Sequence, residues 1–177
     1  MRATRAAAAT GALMLALAGC AGTGSDKAIT EPVSNRPNAQ DRTWVTKTHQ
    51  GNLAEIAAGK LAERRGADKA VRSMGGTLIS DHKGSDTQLR RTASKLGLSM
   101  PLGPDAEQRA VGDRLAHESG KKFDRDFIKS MTAAHKTAIA QTTTEINQGD
   151  DAAVRTLADK AMPVLKKHLW MLQHIQP

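Results

Sequence analysis

Residues 68–97 read DKAVRSMGGTLISDHKGSDTQLRRTASKLG, and their pattern decides the fold. Apolar positions Val71, Met74, Leu78, Leu89, Thr92 and Leu96 recur at intervals of three and four, the period of an amphipathic helix. The same stripe passes through His82, four residues after Leu78. Asp68 stands where an N-cap belongs and Gly97 where a helix stops. The spacing predicts one long helix over Asp68–Leu96.

The same reading extends outward in both directions. A helix is expected over Asp41–Arg65, with Asp41 as N-cap and Gly66 as the glycine that ends it. A short helix is expected at Asp105–His117. A third long helix covers Lys121–Gln148, and a fourth begins at Asp150 or Asp151 and runs to Ile175. Pro163 lies inside the last and removes one backbone donor there, predicting a kink or restart. No alternating β-branched run suggests a strand. Each long segment is about 38–44 Å at 1.5 Å per residue, and none can bury its stripe alone. The expected architecture is therefore all-α, a four-helix bundle. The first and last links are very short and force antiparallel hairpins. The middle link, residues 97–120, contains GLSMPLGP and is long enough to cross the whole bundle, the connectivity of ferritin-like bundles.

The remaining sequence is not bundle. Arg2 and Arg5 precede an apolar stretch, Ala6–Ala18, which ends in Leu17-Ala18-Gly19-Cys20. This order of charge, apolar run and small residues is that of a signal peptide, and its end resembles a bacterial lipobox. Residues 1–19 are read as a lipoprotein signal and Cys20 as the lipidated residue. Its thiolate is the one nucleophile suited to taking up a diacylglycerol group. Several acyl chains anchor stably where one would not. Residues 20–40 are polar, rich in Gly, Ser, Pro and Asn, and read as a flexible tether; ~20 extended residues reach about 60–70 Å. Residues 41–177 form the domain. The protein is expected to be exported and lipid-anchored to the cell membrane or outer membrane, facing the periplasm or the exterior.

Composition excludes several functions. The 177 residues carry Lys+Arg 26 against Asp+Glu 18, a net charge of +8 that falls to +6 once Arg2 and Arg5 leave with the signal. That surface suits anionic envelope components. A single cysteine excludes a disulfide framework or a cysteine-built zinc or iron–sulfur site. Aromatics are 2% of the chain, too few for base-stacking surfaces, so nucleic acid is not an expected partner. No Gly-x-Ser-x-Gly elbow and no phosphate-binding loop occurs, and nothing marks the chain as an enzyme.

The buried stripes carry unusual content. In the third long helix the stripe Phe123, Phe127, Met131, Ala138 passes through His135. In the fourth, Val154, Leu157, Ala161, Val164, Met171, Ile175 passes through His168. The first helix has a seam of Thr48, Asn52, Glu55, Gly59 and Ala62 that turns Glu55 inward. Measured by helical rise from one end, Glu55 lies about 16 Å down, His82 and His135 about 21 Å, and His168 about 10 Å. Histidines with a carboxylate form a sound ligand set for a divalent transition metal such as zinc, copper or iron. The same four groups can instead bond one another inside the core. No Glu-x-x-His occurs, so a carboxylate-bridged di-iron centre is disfavoured. His49 is placed at the same interior or at the surface, His117 on the short helix and His174 at the end. Trp44 and Trp170 are read as packing at the bundle ends. Asp81, Asp124 and Asp126 are read as caps or surface ion pairs.

The ordered set Asn52-Leu53-Ala54-Glu55-Ile56, Gly59-Lys60-Leu61-Ala62, Ser80-Asp81-His82, Leu96-Gly97-Leu98-Ser99-Met100-Pro101, Phe123-Asp124-Arg125-Asp126-Phe127, His135, Met162-Pro163-Val164-Leu165 and His168-Leu169 resembles the bacterial family DUF4142 over residues 41–175. The resemblance implies a ferritin-like, exported, often lipid-anchored domain with no established activity. Where that family usually has Tyr, this chain has Phe127. Two readings stay open: a lipid-anchored binding or structural module of the cell envelope, and a metal-binding envelope protein for storage, delivery or stress protection, using Glu55, His82, His135 and His168.

Overall fold

A computed structural model describes residues 36–176, and the signal, Cys20 and most of the tether lie outside them. Among the described residues there are five helices and no strand: α1 Ala39–Arg65, α2 Lys69–Lys95, α3 Ala106–Ala116, α4 Gly120–Gln148 and α5 Ala152–His174. No described helix is long and apolar enough to cross a membrane.

The helix ends show what local chemistry sets them. Asn38, not Asp41, caps α1. Its side chain accepts the Asp41 N–H at 2.9 Å, and the Asp41 carboxylate accepts the Asn38 N–H at 2.6 Å. This reciprocal box starts the helix at Ala39, two residues inside the expected tether. Asp41 is fully buried and also accepts the N–H groups of Asp150 (3.1 Å) and Asp151 (3.3 Å), tying the α4–α5 turn to the start of α1. At the other end of α1, Gly66 has φ −66° and so is not the left-handed stop expected. Glycine is needed there for space, since a Cβ would lie 2.8 Å from the Ala62 carbonyl oxygen. Gly97 does adopt φ +65°, and the bonds from Leu98 N–H to Ala93 O and from Gly97 N–H to Ser94 O close α2 in a Schellman motif. Asp68, Asp105 and Asp151 cap α2, α3 and α5. α5 runs through Pro163 as one unbroken helix.

The four long helices lie side by side as two hairpins, α1 with α2 and α4 with α5. α1 also packs on α4, and α2 on α5. Trp44 near the start of α1 donates its indole N–H to Thr142 near the end of α4 at 3.1 Å. The turn after α1 gives its Ala67 and Asp68 N–H groups to the Asp124 carboxylate near the start of α4, at 3.0 and 2.9 Å. α4 is therefore antiparallel to α1 and parallel to α2. The connection between α2 and α4 travels the length of the molecule, and α3 packs on α1 and α4 along the way.

Two apolar clusters fill the interior. One joins Ala58, Ala62, Val71, Met74, Leu78, Leu115, Phe123, Phe127, Met131 and Leu172 at the end where α1 turns into α2. Phe123 and Phe127 stack there with centroids 5.7 Å apart. The other joins Trp44, Val45, Leu89, Ala93, Val154 and Ala158 toward the opposite end. Burying each large side chain contributes about 1.5–3 kcal/mol. Trp44, 2% exposed, packs as expected. Trp170 does not: it is 59% exposed and lies on the His174 ring at 4.3 Å between centroids. It is off the buried face of α5, which runs through Leu165, His168 and Leu172 and not through the expected Val164 and Met171, and this explains its outward position.

Candidate functional site

Between the two apolar clusters lies a polar layer. His82 on α2, His135 on α4 and His168 on α5 converge, with ring centroids 5.3–5.9 Å apart. All three are buried, and each offers a ring nitrogen within 4.8 Å of the other two. Glu55 on α1 completes the layer: its Oε2 lies 2.7 Å from His82 Nε2 and 3.4 Å from His135 Nε2. The groups share one layer, so the offset of about 10 Å expected for His168 is not seen. That expectation assumed helix ends level with one another.

Each histidine is held by its outer nitrogen. His135 Nδ1–H donates to the Met131 carbonyl at 2.9 Å, the i−4 group of its own helix. His168 Nε2–H donates to the Asp81 carboxylate at 2.9 Å. His82 Nδ1–H donates to the Asn52 carbonyl oxygen at 2.9 Å. These acceptors fix the neutral tautomers, leaving lone pairs on His135 Nε2, His168 Nδ1 and His82 Nε2, all facing inward. His135 Nε2 and His168 Nδ1 stand 3.2 Å apart. Two lone pairs cannot face each other at that distance without a proton or a metal cation near them. Glu55 Oε2 and His82 Nε2, though close, have no aligned hydrogen bond with any partner. Buried polar atoms are seldom left this way.

The electrostatics point to the same demand for positive charge. Burial pushes the Glu55 carboxyl up, but the charges of His82, His135 and His168 more than reverse this, and it sits below its ordinary range. Burial opposes the charge on His82, yet Glu55 and then Asp81 outweigh it and raise its pKa. Burial lowers the pKa of His168, against the Asp81 hydrogen bond. The layer thus favours a proton on His82 beside Glu55.

The structure brings together all four residues singled out in the sequence. It adds outer partners that sequence reasoning did not assign: Asn52 behind His82, Asp81 behind His168, and Asp86 behind His49. Asp81, read as a cap or surface pair, does lie 3.9 Å from Lys167 but spends its second role on His168. His49 is buried outside the layer, 2.6 Å from Asp86 and 3.1 Å from the Pro101 carbonyl. The signal for Asp86 was present, since it follows His82 by four on the same stripe. Asp124 caps the α1–α2 turn, and Asp126 pairs with Lys122 at 3.0 Å, as read. His117 and His174 are exposed and bond only to carbonyls of their own helices.

The fold and this layer define an all-helical domain with a histidine–carboxylate centre in its core. A family model described as a domain of unknown function, DUF4142, matches residues 27–175, and the chain belongs to that family. Among solved structures, the chain is similar to a DUF305 fragment from Deinococcus radiodurans, with TM-score 0.70 and 15% identity over 78% of this chain and 95% of that one. This likeness is one of fold. No curated protein matches.

Proposed function

We propose that the protein binds a divalent transition-metal ion through His82, His135 and His168, with Glu55 as the fourth ligand. One observation carries this reading: three imidazoles pinned by their outer nitrogens aim three lone pairs and an unpartnered carboxylate oxygen at one another. Outer acceptors that fix tautomer and ring orientation are the usual support of histidine metal sites. The N₃O donor set suits zinc, copper, nickel or cobalt in their divalent states. Two carboxylates, Glu55 within the layer and Asp81 behind it, balance the charge of one divalent ion. The architecture is read as a ferritin-like four-helix bundle, which the full-length crossover between α2 and α4 supports. It carries a mononuclear centre in place of a carboxylate-bridged one.

In this reading the domain stores, delivers or sequesters metal at the cell envelope, held by a lipid on Cys20 and a tether. The order of Arg2, Arg5, the apolar run and the Leu17–Cys20 box supports the anchor, and the +6 charge suits anionic envelope polymers. Elemental analysis after exposure to zinc, cobalt, nickel and copper and exhaustive dialysis tests the metal. One ion per chain is expected, and none in His82→Ala/His135→Ala. Equal retention by that variant, or none by the native chain, overturns the reading. Cys20→Ala should abolish lipid labelling and membrane retention; unchanged retention would refute the anchor.

A further inference from the structure

The polar layer is not sealed on all sides. A cavity of about 1180 Å³, partly open to solvent, is lined by all four long helices and by α3. Glu55 and His82 form part of its wall, whereas His135 and His168 are fully buried and absent from it. A closed structural zinc site wraps its four ligands in protein, while a site with an open position faces space. Here the ligands on one side are packed, and those on the other border a void. Glu55 would be the one anionic group on the ion itself, with Asp81 compensating only from behind His168, so an anion at the cavity side would still be attracted.

Resting on the metal reading above, we infer that the centre keeps an exchangeable coordination position on its cavity side and takes a small inorganic anion there. Glu55 either shares the ion with the anion or turns aside for it; the three histidines stay fixed by Met131, Asp81 and Asn52. Gly51 offers a way to close the path. It lines the cavity one helical turn before Glu55, and a Cβ there would meet only the Gln108 amide, at 4.0 Å. A large side chain at this position fills cavity without striking backbone, and replacing a helical glycine favours the folded state.

The test uses protein loaded with Co²⁺, whose visible bands report coordination, titrated with azide. Saturable change in the bands with cobalt still bound is expected for the native chain and for Gly51→Ala. Gly51→Phe should give the same azide-free spectrum and bind azide at least tenfold more weakly. Cobalt-loaded protein whose bands ignore azide would show a closed site and overturn this inference while leaving the metal reading intact. Loss of cobalt to azide would overturn it too, as would undiminished azide binding by Gly51→Phe. Failure to retain cobalt at all would instead defeat the metal reading itself.

Discussion

Replacing His82 with Leu should separate a layer kept for binding from one kept for stability. The side chain is buried, and its loss leaves the Glu55 carboxylate, also buried, without its 2.7 Å neighbour. Removing one member of a buried charge pair commonly costs 3–5 kcal/mol, because the other charge stays in a poor solvent. In this layer His135 Nε2 stands 3.4 Å from the same oxygen and stays beside it, so the expected cost is about 2–4 kcal/mol. At roughly 4 °C per kcal/mol for a domain of this size, the melting temperature should fall by about 8–16 °C.

The paired substitution Glu55→Leu/His82→Leu should recover most of that loss. Substituting both partners with apolar groups removes the stranded charge, and such exchanges are often neutral or stabilising by 1–4 kcal/mol. The assay is urea unfolding followed by circular dichroism, with chelator and then with excess zinc. At free zinc a hundredfold above its dissociation constant, the native chain gains about 2.7 kcal/mol and the paired variant nothing. Two results refute the reasoning: His82→Leu as stable as the native chain without metal, or a paired variant that zinc still stabilises.

Glu145 is buried beside Asp41, and burial first and then that carboxylate raise its pKa to about 7. A raised pKa stabilises the fold fully below the unfolded value of 4.5 and loses that contribution as pH climbs through 7. Glu145→Gln should therefore flatten the fall in stability between pH 5 and pH 8 in urea titrations, and be the more stable protein at pH 8 by about 1–2 kcal/mol. Gly75→Ala places a Cβ 2.6 Å from the Gly59 carbonyl oxygen and 2.8 Å from the Ala62 Cβ, and should cost about 1–3 kcal/mol in thermal melts. Gly84→Ala in the same helix meets nothing within 4 Å and should gain about 0.5–1 kcal/mol. Trp44→Ala should cost about 3–5 kcal/mol, and Trp170→Ala less than about 0.5, by the same measurement.

How far the sequence disclosed this molecule follows from which signals are local. Helices, their caps and their buried stripes are written in nearest-neighbour spacing, so α1 to α5 differ from expectation by a residue or two at their ends. Residues 97–120 are long enough to permit a crossover, but up-down and crossover topologies both stayed open, because the link's length alone does not say which end of the domain it reaches. The stripes also placed His82, His135, His168 and Glu55 inward, since each falls three or four residues from an apolar neighbour. Their convergence in one layer was not legible, because relative helix height depends on packing, and a shift of two residues moves a side chain about 3 Å. The outer partners are harder still. Asp81 sits on the flank of α2 and finds its partner 87 residues away on α5, a pairing no local spacing encodes.

What the structure adds is the reason to regard the layer as a site. A core selected for stability alone would continue the leucines and phenylalanines of the two apolar clusters through the middle. This chain instead interrupts them with three histidines, each bonded outward; His135 and His168 meet inward at 3.2 Å, while His82 Nε2 and the Glu55 oxygen beside it have no aligned hydrogen bond. Such local disagreement with the rules of packing is where function is generally found. The disagreement is also directional: each of the three imidazoles is held by an acceptor behind it and cannot relieve it by turning. A divalent cation at their centre, as proposed above, would resolve all four at once without moving any of them far.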